Sequence, residues 1–206
     1  MRVVFIFVVL LVLLALAVPT TFAVNFWLDG RAVIARAQQS GALREAPAGR
    51  MNVPEYMIAM SEFGDTWRTT AVPCRTLANL WADITSESAP AGLPVSHKLA
   101  TSLLSEQRGT SIRWQVRRMI VACQLEQIYD DRQMLRLWLE RAYFGREERG
   151  VEAAAHGYFG KSSAELDSTE SARLAALLRS PGLRSQPERW TERARVIQDR
   201  VASTVP

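Results

Sequence analysis

The pattern of apolar and polar positions along the chain predicts a series of amphipathic helices. Between residues 113 and 128, one helical stripe consists of Val116, Met119, Ile120, Cys123 and Gln127. A second stripe with helical spacing follows at Met134, Leu135, Trp138, Leu139 and Ala142. No stretch alternates with a period of two for long enough to make a convincing strand. We therefore predict an all-α fold.

Short polar signals predict where these helices begin and end. A capping side chain stands three residues before Glu or Gln at Asp130, Ser162 and Asp167. Proline indicates two further starts, at Pro54 and Pro187, and the triplet Ser180-Pro181-Gly182 indicates a stop. We expect the Pro54 helix to end near Gly64, the Asp130 helix to reach Gly145, and one more helix to cover residues 76–84.

The first 28 residues form an apolar leader. Residues 3–28 carry no charge and residues 3–18 are continuously apolar, which is long enough to cross a hydrocarbon core of about 30 Å. This predicts a transmembrane anchor. The alternative is a cleaved signal peptide, with Arg2 as its basic start, Pro19 breaking the helix, and small residues near Ala23. Both alternatives place the domain outside the cytoplasm, on the periplasmic or extracellular side.

The predicted organisation is a leader at 1–28, a connector or short helix at 29–50, and one domain at 51–206. A length of 206 residues with 48% hydrophobic and 22% charged residues excludes wholesale disorder and two large domains. Net charge is +4, and only Lys98 and Lys161 among the 25 basic residues are lysines. Arginine grips phosphate through a planar fork, although a GC-rich coding sequence would also produce this bias.

Two cysteines, Cys74 and Cys123, leave two alternatives open. An oxidising compartment permits a disulfide between them. Cys123 also lies on an apolar helix stripe, where cysteine commonly serves as a small buried hydrophobe. The chain has no metal-ligand spacing and only two histidines, so we predict no metal site and no cofactor.

The stretch LWLERAYFGREERGVEAAAHGYFGKSSAELDSTESARLAALLRSPG carries a family signature. It resembles the peptidoglycan glycosyltransferase domain of family 51, whose members show LNxIYFGxxxxGIEAAAxxYFGKxxxxLxxxEAAxLAxLPxxP. The upstream ACQLEQIYDDRQMLRLWLE and the downstream QPERWTERARVIQDRV are also similar to the family. The resemblance implies a lysozyme-like helical fold at the outer face of the cytoplasmic membrane. It also implies a lipid-linked disaccharide-pentapeptide as substrate, with the membrane and other cell-wall synthesis proteins as partners and no nucleic acid.

The same resemblance suggests candidate site residues in the first half of the domain. Glu62 aligns with the glutamate of the motif EDxxFxxHxG, which is thought to act as general base toward the acceptor hydroxyl. Phe63 replaces the aspartate of that motif. In the second motif, GGSTITQQ, this chain has AGLPVSHK, which makes Ser96 and Lys98 candidate substrate-binding residues.

The third motif, RKxxE, differs in charge. Its second active-site glutamate aligns with Arg118, and a charge reversal within about 4 Å is worth several kcal/mol at an effective dielectric near 20. Arg113, Arg117 and Arg118 are candidates for contacts with the diphosphate.

Two functions follow as alternatives. In the first, the domain binds the lipid-linked precursor with impaired or lost catalysis; in the second, it is an active but divergent glycosyltransferase with Glu62 as base. A lysozyme-like hydrolase would need a second carboxylate across a cleft, and none is evident beside Glu62.

Overall fold

A computed structural model describes residues 2–44, 50–64, 74, 94–104, 111–147 and 149–203. Its eight α-helices in these residues are α1 (Arg2–Gln39), α2 (Val53–Phe63), α3 (Val95–Leu103), α4 (Ile112–Ile128), α5 (Asp131–Leu139), α6 (Val151–Phe159), α7 (Ser168–Arg179) and α8 (Pro187–Ser203). Short 3₁₀ helices cover Ser163–Glu165 and Pro181–Ser185. One isolated bridge joins Tyr143 to Arg149, and the described residues form no strand. The prediction of an all-α fold is confirmed for this part of the chain.

One hydrophobic core unites the helices. Helix α7 lies at its centre, where Leu174, Ala175 and Leu177 are fully or almost fully buried, and it packs against both α2 and α8. Helix α3 packs between α4 and α5. This arrangement brings the end of α2, the middle of α3 and the end of α7 close to one another.

The second half of α1 belongs to the same core. Val33, Ile34 and Ala37 are buried, and α1 packs against α4. Gly30 allows the close approach, because a Cβ atom there would lie 2.7 Å from the Oε1 atom of Gln124. The stretch predicted as a connector or short helix is therefore helical as far as Gln39, and α1 runs without a break across Pro19, where the signal-peptide alternative placed one.

The side chains of residues 2–16, 18 and 19, on which the predicted membrane anchor depends, lie outside the described part of the structure. Within the described part, no helix combines the length and the apolar character needed to cross a membrane.

The capping predictions are confirmed. Asp130 with Gln133, Ser162 with Glu165, and Asp167 with Glu170 each form a reciprocal capping box. Pro187 begins α8, α2 ends at Phe63 beside Gly64, and α7 stops before Pro181. The predicted helix at 76–84 lies outside the described residues.

The prediction that the Asp130 helix reaches Gly145 is wrong, because α5 ends at Leu139. Beyond it the chain folds back, and the Gly150 amide donates to the Ala142 carbonyl at 2.9 Å. Ala142 and Phe144 are still buried, but from this turn and not from a helix. The apolar spacing therefore predicted burial correctly and conformation incorrectly.

The two cysteines form a disulfide, with 4.9 Å between the Cα atoms of Cys74 and Cys123. The alternative of two separate buried thiols is therefore wrong. The bridge attaches residue 74 to the buried side of α4.

Gly150, at the start of α6, has a conformation that only glycine adopts without strain. Its φ is +103°, and a Cβ atom would lie 3.0 Å from the carbonyl oxygen of Glu140. We expect Gly150→Ala to lower the free energy of unfolding by about 2 kcal/mol. Urea unfolding measures this loss. Gly182→Ala is the matched control, because a Cβ atom there has no neighbour within 4 Å; equal losses in the two variants would contradict the assignment.

Candidate functional site

Glu62 lies in the last turn of α2, inside a cluster of cations. Its side chain is 5% exposed. The Oε2 atom is 2.7 Å from Nζ of Lys98 in α3, and the Oε1 atom is 3.4 Å from Nε of Arg179 in α7. Each carboxylate oxygen therefore faces a different cation. We call Glu62, Lys98 and Arg179 the Glu62 cluster.

Lys98 connects this cluster to two aromatic rings. Its ammonium lies 5.9 Å from the ring centre of Phe63 and 5.3 Å from that of Trp138. The two rings meet edge to face at 5.8 Å. Because the Lys98 side chain is 36% exposed, the aromatic pair holds a partly accessible cation beside a buried carboxylate.

Ser96 has a different environment from Lys98. It is fully buried, and its hydroxyl donates a hydrogen bond to Oε1 of Glu126 in α4. This bond joins α3 to α4. The hydroxyl is thus engaged inside the protein in this conformation, and a role for Ser96 in substrate binding stays a prediction.

His97, which is buried, and Arg118, which is half-buried, form a second group between α3 and α4. Neither ring nitrogen of His97 has a hydrogen-bond partner in the described part of the chain. Burial, and to a lesser extent the nearby charge of Arg118, lower the pKa of His97 to about 4. Burial also lowers the pKa of the Arg118 guanidinium, which lies 4.6 Å from the ring centre of Trp114 and donates to Gln115. His97 is therefore neutral near pH 7.

The other two candidate arginines face α1. The Arg117 Nε atom is 2.6 Å from Oδ2 of Asp29, so this residue ties α4 to α1. Arg113 lines an apolar groove of about 620 Å³ together with Phe22, Phe26 and Ile112. Exposed apolar side chains surround this groove, with Ile112 at 83% and Phe22 at 62%.

Of the predicted site residues, the structure thus brings Glu62 and Lys98 into contact and distributes the three arginines over separate surroundings. Arg179, His97 and Glu126 were not predicted. A basic residue in the last turn of a helix is ordinary, so Arg179 carried no signal. Glu126 lies in the family-like segment ACQLEQIYDD, which was the available clue. It stands about 12 Å beyond Arg118 along α4, so it does not replace the glutamate aligned with Arg118.

Fold and site together define an all-α domain with a buried carboxylate held by cations. The family described as Transglycosylase matches residues 71–202. Penicillin-binding protein 1C of Escherichia coli K12 is 33% identical over 151 residues, which is 72% of this chain and 19% of that protein. Penicillin-binding protein 1A of Aquifex aeolicus is 33% identical over 113 residues, or 53% of this chain and 15% of that protein.

The chain therefore belongs to the transglycosylase family, the domain found in penicillin-binding proteins. This confirms the family resemblance. The chain spans about a fifth or less of the length of these two relatives. The match to the family begins at residue 71, after Glu62, so the role of Glu62 does not follow from membership alone.

Proposed function

We propose that this protein is a membrane-attached, lysozyme-like relative of peptidoglycan glycosyltransferases that binds the lipid-linked disaccharide-pentapeptide and has impaired or lost catalysis. Membership of the transglycosylase family supports the class of substrate. The state of Glu62, the candidate base, supports the loss of catalysis.

The observation that carries the proposal is the pairing of both Glu62 oxygens. A general base must reach the acceptor hydroxyl at about 2.6–3.2 Å. Here one oxygen lies 2.7 Å from Lys98, the other lies 3.4 Å from Arg179, and the side chain is 5% exposed. To reach a sugar hydroxyl, this buried carboxylate would have to become exposed, and both of its oxygens already face cations.

Arg118 supports the same conclusion. It occupies the position that aligns with the second active-site glutamate of the family. Its guanidinium lies 4.6 Å from the ring centre of Trp114, and its charge contributes to the lowered pKa of His97. Arg118 therefore places positive charge at that position. A cation favours an anionic diphosphate but cannot accept a proton from an incoming hydroxyl.

The proposed membrane attachment uses α1 and the groove beside it. The uncharged residues 3–28 include the exposed apolar side chains of Phe22, Val24 and Leu28, and Ile112 adds exposed apolar surface at the groove beside Phe22. Arg113 lies at this surface, where a guanidinium could meet lipid phosphates while its stem covers apolar area. A lipid-linked substrate remains in the bilayer, so an enzyme relative bound beside it meets it at a raised local concentration.

Binding of the labelled lipid-linked disaccharide-pentapeptide to the full chain in neutral detergent tests this proposal. Because Lys98 is partly exposed and lies between Glu62 and the aromatic pair, we expect Lys98→Ala to weaken binding about tenfold. Arg200→Ala, which removes an exposed cation from α8, should leave binding unchanged. No measurable binding by the parent protein, or equal affinities of the two variants, would contradict the proposed site.

A further inference from the structure

A cavity of about 290 Å³ lies beside the C-terminal end of α1, separate from the Glu62 cluster. Three guanidinium groups line it, those of Arg36, Arg117 and Arg141, together with Ser40. Its described lining includes no aspartate or glutamate and no member of the Glu62 cluster. We call it the arginine cavity.

Three different elements bring the arginines together. Arg36 stands in the last turn of α1, and its Nε atom donates to the carbonyl of Ala32 at 3.1 Å. Arg141 follows α5 and donates to Ser102, at 3.3 Å to the hydroxyl and 3.4 Å to the carbonyl. Arg117 reaches the cavity from α4 while it pairs with Asp29.

These contacts leave donors unused. Within the described residues, both terminal nitrogens of Arg36 and one terminal nitrogen of Arg141 make no hydrogen bond or ion pair. Cations that line one cavity repel one another, and a bound anion would reduce this repulsion.

Among the described residues, the negative charge beside the cavity is too small to balance its three arginines. Asp29 neutralises one of the three cations. Helices α1 and α3 both end at this cavity, and each helix C-terminus contributes about half a negative charge. Counting these described groups alone, a net positive charge of roughly one unit remains.

We propose that the arginine cavity binds a phosphoryl group, as phosphate, a phosphate ester or a diphosphate. Guanidinium forks match the oxygens of such groups through paired hydrogen bonds. The volume of about 290 Å³ lies just below the roughly 300–1,000 Å³ typical of ligand pockets. It therefore suits a phosphoryl group and not a disaccharide with its peptide. This site does not depend on the proposed function, because phosphoryl binding needs neither a glycan nor catalysis.

Calorimetric titration of the full chain in neutral detergent with inorganic phosphate, and separately with pyrophosphate, tests the proposal. Sodium chloride at matched ionic strength is the reference. We expect saturable binding that Arg36→Gln weakens at least tenfold and that Arg36→Lys restores only in part, because lysine keeps the charge and loses the fork. Arg200→Gln removes an equal charge from exposed α8 and should change nothing.

Arg36→Gln is the decisive variant, because the one hydrogen bond described for its side chain lies within its own helix. Arg141→Gln provides a second test, accompanied by a thermal melt, since Arg141 also holds Ser102. A second experiment measures whether the protein floats with vesicles of phosphatidylglycerol and, separately, with vesicles of phosphatidylcholine.

The titration and the flotation experiment together identify the source of the phosphoryl group. Soluble binding that depends on Arg36 assigns the site to a free phosphate or diphosphate. Flotation that requires phosphatidylglycerol and Arg36, without soluble binding, assigns it to a lipid headgroup. If Arg36→Gln and Arg200→Gln bind phosphate and pyrophosphate equally and float with the vesicles equally, the proposal is wrong.

Discussion

Reduction of the Cys74–Cys123 disulfide is expected to lower the free energy of unfolding by about 4 kcal/mol. The bridge closes a loop across a sequence separation of 49 residues. In the chain-entropy account, opening a loop of this size raises the conformational entropy of the unfolded chain, which lowers its free energy by about 4 kcal/mol. Urea unfolding with and without a thiol reductant measures the difference.

The matched control is the double variant Cys74→Ala and Cys123→Ala. It should start at the lower stability and show no response to the reductant. A parent protein whose unfolding midpoint is the same with and without reductant would contradict a stabilising bridge.

Acidification from pH 7.5 to pH 4 is expected to remove about 3 kcal/mol of unfolding free energy through His97 alone. Burial lowers the pKa of His97 to about 4 in the folded protein, against 6.5 for an ordinary histidine. Between these values the unfolded chain takes up a proton that the folded chain does not, so stability falls as the pH falls. Well above pH 6.5 His97 costs no stability, and only well below pH 4 does the loss change no further.

The variant His97→Gln should lose this part of the pH dependence. Urea unfolding at pH 7.5, 6, 5 and 4 would show a flatter profile than that of the parent. His156→Gln is the control, because the His156 side chain is 59% exposed and pairs with Glu152. A His97→Gln profile parallel to the parent's, with a flatter His156→Gln profile, would overturn this account of His97.

The parts of the fold that depend on local chemistry could be predicted from the sequence. The capping box of Asp130 with Gln133 needs only residues within one helical turn, so sequence spacing reveals it. The end of α5 could not be found in this way, because the apolar spacing continues through Ala142 into a turn. Beyond the helix end, the Ala142 carbonyl accepts a backbone bond from Gly150, which is distant in sequence.

Helix α3 shows why the candidate site was only partly predictable. Its segment VSHKLATSL mixes apolar and polar residues, and its buried face includes Ser96 and His97, so apolar periodicity alone gives a weak signal. The family resemblance nevertheless indicated Lys98. Its partner Glu62 comes from α2 and the second cation, Arg179, from α7. Such a cluster is created by packing between distant segments, which spacing along the chain does not reveal.

The different surroundings of the three candidate arginines of α4 could not be predicted from the sequence either. Composition indicated an abundance of guanidinium groups but not their partners. The helical twist of α4 turns Arg113 and Arg117 toward α1, while Arg118 points to α3 and His97. Three cations of one helix therefore lie in three different environments.

Glycan polymerisation tests the central claim most directly. The full chain, Glu62→Gln and the exposed control Glu188→Gln are incubated with labelled lipid-linked disaccharide-pentapeptide, alongside an active transglycosylase that confirms the substrate is competent. Because both oxygens of Glu62 are held by cations, we predict that the parent forms no more polymer than Glu62→Gln. Polymer formed by the parent and by Glu188→Gln, and abolished in Glu62→Gln, would show that Glu62 is a working base and contradict the account.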